Sequence, residues 1–124
     1  MTVVGVGIDL VDVSRLRAAL DRTPQLARRL FLDDEVAQAE GHEDRVGLLA
    51  ERFAVKESVM KALGRGISAM AFTDIRVLAD DAGQPVVTLT DRAAVLAAEH
   101  GVSGWHVALT RTDRVAQAVV IAVG

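Results

Sequence analysis

The stretch AERFAVKESVMKALGRG (residues 50–66) decides how this chain of 124 residues folds and what it can bind. Read as a helix, it places Glu57 and Lys61 on one face, because residues four apart lie one turn apart. Basic residues precede this pair and glycines follow it, at Arg52, Lys56, Gly64 and Gly66. A carboxylate and basic groups beside a glycine-rich turn suit a phosphate held with a divalent cation. The same pattern also describes an exposed helix with one Glu–Lys pair, worth about 0.2–0.5 kcal/mol.

The helix that contains this stretch is expected to run from about Asp44 to Leu63 and to end at the glycines. Its apolar stripe consists of Leu49, Phe53, Met60 and Leu63. Lys56 falls on the stripe, so the pattern predicts that its ammonium either extends to solvent or points into a pocket. Glu57 lies beside the stripe, at the edge of the buried surface.

Residues 3–13, VVGVGIDLVDV, are β-branched and almost continuously apolar, which predicts a strand buried on both faces. Asp9 inside such a strand would need a cation or several hydrogen-bond donors. The alternative is that the strand ends near Gly7 and that Asp9 caps a turn. If the long helix packs on this strand, Asp9 and Glu57 can meet. Two carboxylates, water and phosphate oxygens are the usual ligands of Mg²⁺.

The rest of the chain alternates helical and strand patterns. Ser14 and the pair Thr23–Pro24 are expected to begin two short helices within residues 14–30, and Asp33 is expected to cap a helix that begins near residue 34. Further segments follow as strands 74–80 and 86–90 around a turn, a helix over 91–100, and strands 105–112 and 114–123. This order predicts one domain over residues 1–124, of α+β class, with a mainly antiparallel sheet packed on one long helix and shorter helices.

Composition excludes several classes of function. The net charge of −3 and the aromatic content of 3% argue against nucleic-acid binding. The chain has no Cys and three dispersed His, which excludes thiolate sites and argues against zinc. The first residues lack the features of a signal peptide, and no apolar run reaches about 18 residues. We therefore expect a cytoplasmic protein that does not enter a membrane.

A cluster of arginines interrupts this acidic chain. It comprises Arg15, Arg17, Arg22, Arg28 and Arg29, with Asp21 as the local counter-charge. Such a cluster is either a solvated face or a docking surface that attracts an acidic partner.

Two separated motifs resemble the signature of the 4′-phosphopantetheinyl transferases. They are G-I-D at residues 7–9 and R-F-A-x-K-E-S-x-x-K-A at residues 52–62. The length and the single-copy layout resemble the small bacterial type of this superfamily. Weaker matches are Phe31 with Glu35, the turn of Gly64 and Gly66, and Gly83-Gln84-Pro85 before a strand.

The resemblance implies that the chain transfers the 4′-phosphopantetheine arm of coenzyme A to a serine of apo acyl carrier protein, releasing 3′,5′-ADP. It implies Mg²⁺ held by Asp9, Glu57 and the coenzyme A pyrophosphate, with Lys61 on a phosphate. It also implies a homotrimer with coenzyme A between subunits, and contacts of the carrier protein, of fatty-acid or polyketide type, with Arg15 and Arg22. The coenzyme-binding set is expected to be Arg52, Lys61, Gly64, Gly66, Pro85, Thr110, Arg111 and Thr112.

The chain departs from the superfamily pattern near its C-terminus. Small members carry a histidine in a strand-end segment where this chain has A-L-T-R-T (residues 108–112). Arg111 stands at the histidine position. An arginine can bind phosphate in a bidentate manner but cannot act as a general base. We therefore expect Arg111 to bind a coenzyme A phosphate, the 3′-phosphate; the alternative is a surface arginine at a turn.

Two other functions remain open on sequence grounds. One is a non-catalytic protein of the same fold that binds carrier proteins or forms a trimeric scaffold. The other is a general Mg²⁺-dependent nucleotide-binding domain, against which the absence of a P-loop motif counts.

Overall fold

The computed structural model describes residues 1–64 and 66–124. Its α-helices are α1 (Val13–Arg22), α2 (Leu26–Leu30), α3 (Asp33–Ala39), α4 (Arg45–Ala62) and α5 (Asp91–Glu99). Its strands are β1 (Val3–Asp12), β2 (Ile75–Ala79), β3 (Pro85–Leu89), β4 (Gly104–Arg111) and β5 (Val115–Val123). Single 3₁₀ turns at Ile67–Ala69 and Phe72–Asp74 lead from α4 to β2.

The strands form two antiparallel sheets. The larger has the order β1-β5-β4 and the smaller pairs β2 with β3. Asp9 lies opposite Ala118 of β5, and Thr110 of β4 lies opposite Gln117. These sheets and helices confirm the predicted α+β class.

Two glycines bring α4 into direct contact with β1. A Cβ atom at Gly7 would lie 1.8 Å from the carbonyl oxygen of Ser58, and one at Gly5 would lie 2.0 Å from that of Ala62. No side chain larger than hydrogen fits at either position, so the helix backbone rests on the strand backbone. This close approach sets the distance between Asp9 on the strand and the residues that follow Lys56 on the helix.

The main core lies between α4 and the inner face of the larger sheet. Leu49, Met60 and Leu63 of the predicted stripe are buried, and Phe53 is partly buried. Within the described residues, no helix is both long and apolar enough to cross a membrane.

Lys56 neither reaches solvent nor points into a pocket, so that prediction was wrong. Its Nζ donates to Oε1 of Glu35 at 2.7 Å and to the carbonyl oxygens of Leu30 at 2.8 Å and Phe72 at 3.1 Å. Both charged side chains are fully buried. Burial lowers the pKa of Lys56, whereas the charge of Glu35 raises it. An ammonium can lie among apolar residues here because three oxygens use all three of its N–H groups.

The outer face of β1 is exposed, so the prediction of a strand buried on both faces was wrong for the single chain. Val6, Ile8 and Leu10 are 58%, 52% and 59% exposed and alternate with residues that face α4. Asp9 lies within the strand, which removes the alternative that it caps a turn.

The predicted starts of the first three helices were each displaced. Asp12, not Ser14, caps α1: its Oδ1 accepts from the backbone N–H of Arg15 at 3.0 Å, because β1 leads into α1 without a loop. This bond from Arg15, and a second that the hydroxyl of Ser14 donates to the same oxygen at 2.8 Å, lower the pKa of Asp12. Helix α2 begins at Leu26, beyond Thr23–Pro24, and α3 begins at Asp33 itself.

Candidate functional site

Asp9, Glu57 and Lys61 converge where α4 crosses β1. The ammonium of Lys61 lies 2.9 Å from Oδ1 of Asp9 and 2.9 Å from the carbonyl oxygen of Ile8. The Lys61 side chain is 53% exposed and that of Asp9 16% exposed. The site is therefore open to solvent on the lysine side and enclosed around the carboxylate of Asp9.

Glu57 lies one helical turn before Lys61 on α4, and Lys61 contacts Asp9, so the two carboxylates belong to the same region of the fold. Partial burial raises the pKa of Glu57, the charge of Asp9 raises it further, and the charge of Lys61 acts in the opposite direction. Two acidic groups in one half-enclosed site repel each other, so the site favours a cation between them.

The donor set fits Mg²⁺. Within residues 1–64 and 66–124, no group of three or more His, Cys, Asp or Glu side chains could hold a metal by itself. Mg²⁺ commonly binds one or two carboxylates and completes its shell with water and substrate phosphates. Asp9 and Glu57 could supply the protein's part of such a shell, and Lys61 lies 2.9 Å from Oδ1 of Asp9.

The predicted coenzyme-binding residues fall into separate groups in one chain. Lys61 and the turn of Gly64 and Gly66 lie at the end of α4, where Gly64 has φ +67°. Arg65, between these glycines, lies outside the described residues. Arg52 and Pro85 line a different cleft of about 780 Å³, whose walls come from α4, β2, β3 and β4. Asp9, Glu57 and Lys61 do not line this cleft.

Arg52 lines that cleft, and hydrogen bonds hold its guanidinium in place. Its Nη2 donates to the side-chain oxygen of Gln38 at 2.7 Å, and Gln38 exchanges two hydrogen bonds with the backbone of Ala79. Burial lowers the pKa of Arg52, with the charges of Glu35 and Glu51 opposing it, but a guanidinium remains charged at neutral pH. The cleft therefore contains a fixed cation.

Arg111 is held against the start of α4. Its Nη1 lies 3.2 Å from Oδ2 of Asp44 and 4.0 Å from Oε1 of Glu51. A Cβ at Gly47 would lie 2.5 Å from that Nη1, so a larger residue there would displace the guanidinium from its present position. Sequence reasoning missed Asp44, Gly47 and Glu51 as neighbours of Arg111, because no motif links the start of α4 to the end of β4.

The other two residues predicted on this strand end have different surroundings. Thr110 lies on the exposed face of β4, across Gln117 from Leu10. The hydroxyl of Thr112 accepts from the backbone N–H groups of Arg114 and Val115 at 3.2 and 3.1 Å. Thr112 therefore shapes the turn between β4 and β5.

The arginine cluster is exposed to solvent. Arg15 and Arg22 lie on α1, and Arg28 and Arg29 lie on α2. This surface is therefore available to an acidic partner.

Known proteins are similar to this chain over nearly its whole length. The family model of the 4′-phosphopantetheinyl transferase superfamily matches residues 5–120. A holo-acyl-carrier-protein synthase of Streptomyces avermitilis is 46% identical over 124 residues, covering all of both chains. The structure of the corresponding Neisseria meningitidis enzyme superimposes with TM-score 0.89 at 27% identity, covering 99% of this chain and 100% of that one. A Bacillus anthracis synthase in complex with coenzyme A (3′,5′-ADP) gives TM-score 0.81 at 28% identity, covering 98% and 97%.

Proposed function

Because the chain belongs to the 4′-phosphopantetheinyl transferase superfamily and is an enzyme of the holo-acyl-carrier-protein synthase type, we propose that it transfers the 4′-phosphopantetheine arm of coenzyme A to a serine of apo acyl carrier protein. The serine oxygen forms a bond to the phosphorus of the arm, the pyrophosphate bond breaks, and 3′,5′-ADP leaves. The observation that carries this proposal is the 2.9 Å contact between Lys61 and Asp9, which brings the K-E-S-x-x-K motif, with Glu57 one helical turn before Lys61, onto the G-I-D motif.

Each residue of this site has a role that its chemistry allows. Asp9 and Glu57 would hold Mg²⁺, which would stabilise negative charge on the pyrophosphate. Lys61 binds a pyrophosphate oxygen and neutralises charge that develops as the leaving group departs. Glu57, the carboxylate with the raised pKa, can also accept the serine proton through water.

We propose that the enzyme works as a homotrimer with sites between subunits. The outer face of the larger sheet exposes Val6, Ile8 and Leu10 beside Val119 and Ile121, which is an apolar surface that a second copy could cover. The Arg52 cleft and the Asp9 site share no lining residues in one chain, and we propose that coenzyme A reaches an Asp9 site and the Arg52 cleft of a neighbouring subunit.

Size-exclusion chromatography with light scattering tests this assembly. Three copies of a 13.2 kDa chain give about 40 kDa. Val6→Lys places a charge in the proposed interface and should give a folded monomer without transferase activity. A wild-type enzyme that is fully active as a monomer would contradict the assembly.

The remaining assignments complete the proposal. Coenzyme A contacts the glycine turn after α4, the cleft of Arg52 and Pro85, and the segment Thr110–Thr112, with Arg111 on the 3′-phosphate. The acidic carrier protein docks on Arg15 and Arg22. The whole chain acts as one transferase domain in the cytoplasm.

The direct test is a mass measurement. The protein is incubated with apo acyl carrier protein, coenzyme A and Mg²⁺, and the carrier should gain the mass of phosphopantetheine. A carrier with its acceptor serine replaced by alanine is the matched control, and EDTA should stop the reaction. An unmodified carrier would contradict the proposal and favour a non-catalytic role. Carriers of fatty-acid and polyketide type tested side by side identify the preferred substrate.

A further inference from the structure

Lys61 contacts Asp9 in the substrate-free structure, so its ammonium is not free to bind the pyrophosphate. The ammonium of Lys61 is held by two oxygens of its own chain, Oδ1 of Asp9 and the carbonyl of Ile8, each at 2.9 Å. One of these oxygens belongs to a proposed metal ligand. In this arrangement a lysine and a divalent cation need the same carboxylate.

We propose that Lys61 is the counter-cation of Asp9 in the substrate-free enzyme and competes with the divalent cation for it. The inference rests on the proposed metal site of Asp9 and Glu57. Binding of a divalent cation replaces the ammonium charge at Asp9 and frees Lys61 to turn toward the pyrophosphate. Lys61 thus keeps Asp9 neutralised before the substrates arrive and contacts the substrate afterwards.

The surroundings of Lys61 permit this exchange. Its side chain is about half exposed and ends in a compact ammonium on a flexible stem, so it can leave Asp9 and remain hydrated. The buried Lys56, whose three N–H groups are all bonded, has no such freedom. Exchange at Lys61 therefore leaves no buried charge without a partner.

The competition has a measurable size. Partly exposed ion pairs are worth about 0.2–1 kcal/mol, so removing the competitor should tighten cation binding by about 1.5- to 5-fold. A merely structural role of Lys61 would make its replacement weaken binding. The two interpretations therefore predict opposite changes in the affinity for the cation when Lys61 is replaced.

The test measures Mn²⁺ binding to the substrate-free protein from the EPR signal of free Mn²⁺. Lys61→Gln should bind Mn²⁺ more tightly than wild type, whereas Lys61→Arg, which keeps a cation beside Asp9, should not. Arg45→Gln is the matched control: it makes the same change in net charge, but Arg45 pairs with Glu40 at 3.2 Å and does not contact Asp9. Equal tightening in Arg45→Gln or in Lys61→Arg would overturn the competition.

A second titration, with saturating coenzyme A, tests the release of Lys61. The advantage of Lys61→Gln should disappear, because the wild-type ammonium then lies on the pyrophosphate, and a persisting advantage would overturn the release. The variant Asp9→Asn distinguishes a failure of the proposed competition from a failure of the proposed metal site. If it abolishes Mn²⁺ binding while Lys61→Gln binds no more tightly than wild type, the competition fails and the metal site stands. If Asp9→Asn binds Mn²⁺ like wild type, both fail.

Discussion

Replacing Gly7 by alanine should strongly lower the activity of the enzyme while the protein stays folded. The new Cβ would lie 1.8 Å from the carbonyl oxygen of Ser58, and ordinary contact begins at 3.4 Å, so α4 and β1 must separate by about 1.6 Å at this point. The contact is with backbone, which no side-chain rotation can relieve. Asp9 follows Gly7 by two residues on the strand, and Glu57 precedes Ser58 on the helix. The separation therefore moves the two proposed metal ligands apart.

A displacement of about 1 Å in a catalytic group can cost about 100-fold in rate, so kcat/KM of Gly7→Ala should fall by about 100-fold or more. Overpacking should cost about 1–3 kcal/mol of stability, which leaves a folded protein at 25 °C. The assay is the initial rate of carrier-protein mass gain, with circular dichroism to establish that the variant is folded.

The matched control is Gly104→Ala in β4. Its new Cβ would lie 3.3 Å from Cγ2 of Val123, a side-chain atom that can move. This variant should keep near-normal activity. A folded Gly7→Ala enzyme with kcat/KM within about threefold of wild type would refute the argument that the glycine positions Asp9 against Glu57.

Three further predictions concern single charges. Burial and Asp9 raise the pKa of Glu57 above its unfolded value, so the unfolded chain binds fewer protons between the two pKa values and stability falls as pH rises through that range. Metal-free Glu57→Gln should therefore melt at the same or a higher temperature than wild type at pH 7.5, while losing turnover; a clearly lower melting temperature would contradict this. Lys56→Met leaves Glu35 buried without its partner and should cost about 3–5 kcal/mol in urea unfolding, with part of the loss recovered in the double variant Lys56→Met/Glu35→Leu; a cost below about 1 kcal/mol would contradict the buried pair. Arg111→Ala should raise the KM for coenzyme A by about tenfold with little change in kcat, and Asp44→Asn should lower that KM by freeing Arg111; unchanged KM values in steady-state assays would remove Arg111 from the site.

The part of the fold that the sequence predicted well is the part set by local pattern. The long helix, the strand containing Asp9 and the two hairpins follow from periodicity and turn residues close together in the chain. The meeting of Asp9 with Lys61 needed one further assumption, that α4 packs on β1. Gly5 and Gly7 could have indicated that packing, because a strand without side chains at alternate positions allows a backbone contact.

What could not be predicted depends on partners far apart in the chain. Lys56 pairs with Glu35, 21 residues earlier, and with the carbonyl of Phe72, 16 residues later. Arg111 meets Asp44 only because β4 ends beside the start of α4. The exposure of Val6 and Ile8 could not be predicted for a different reason. Their apolar side chains look the same in the sequence whether α4, another subunit or water covers them. Periodicity identifies an apolar face without identifying its partner.

The central claim is that Asp9 and Glu57 share one divalent cation. A crystal grown with Mn²⁺ and coenzyme A tests it through the anomalous signal of the metal. We predict one peak per subunit, at coordination distance from a carboxylate oxygen of Asp9, one of Glu57 and an oxygen of the pyrophosphate. A peak that touches only one of these carboxylates, or lies elsewhere in the protein, would contradict the account.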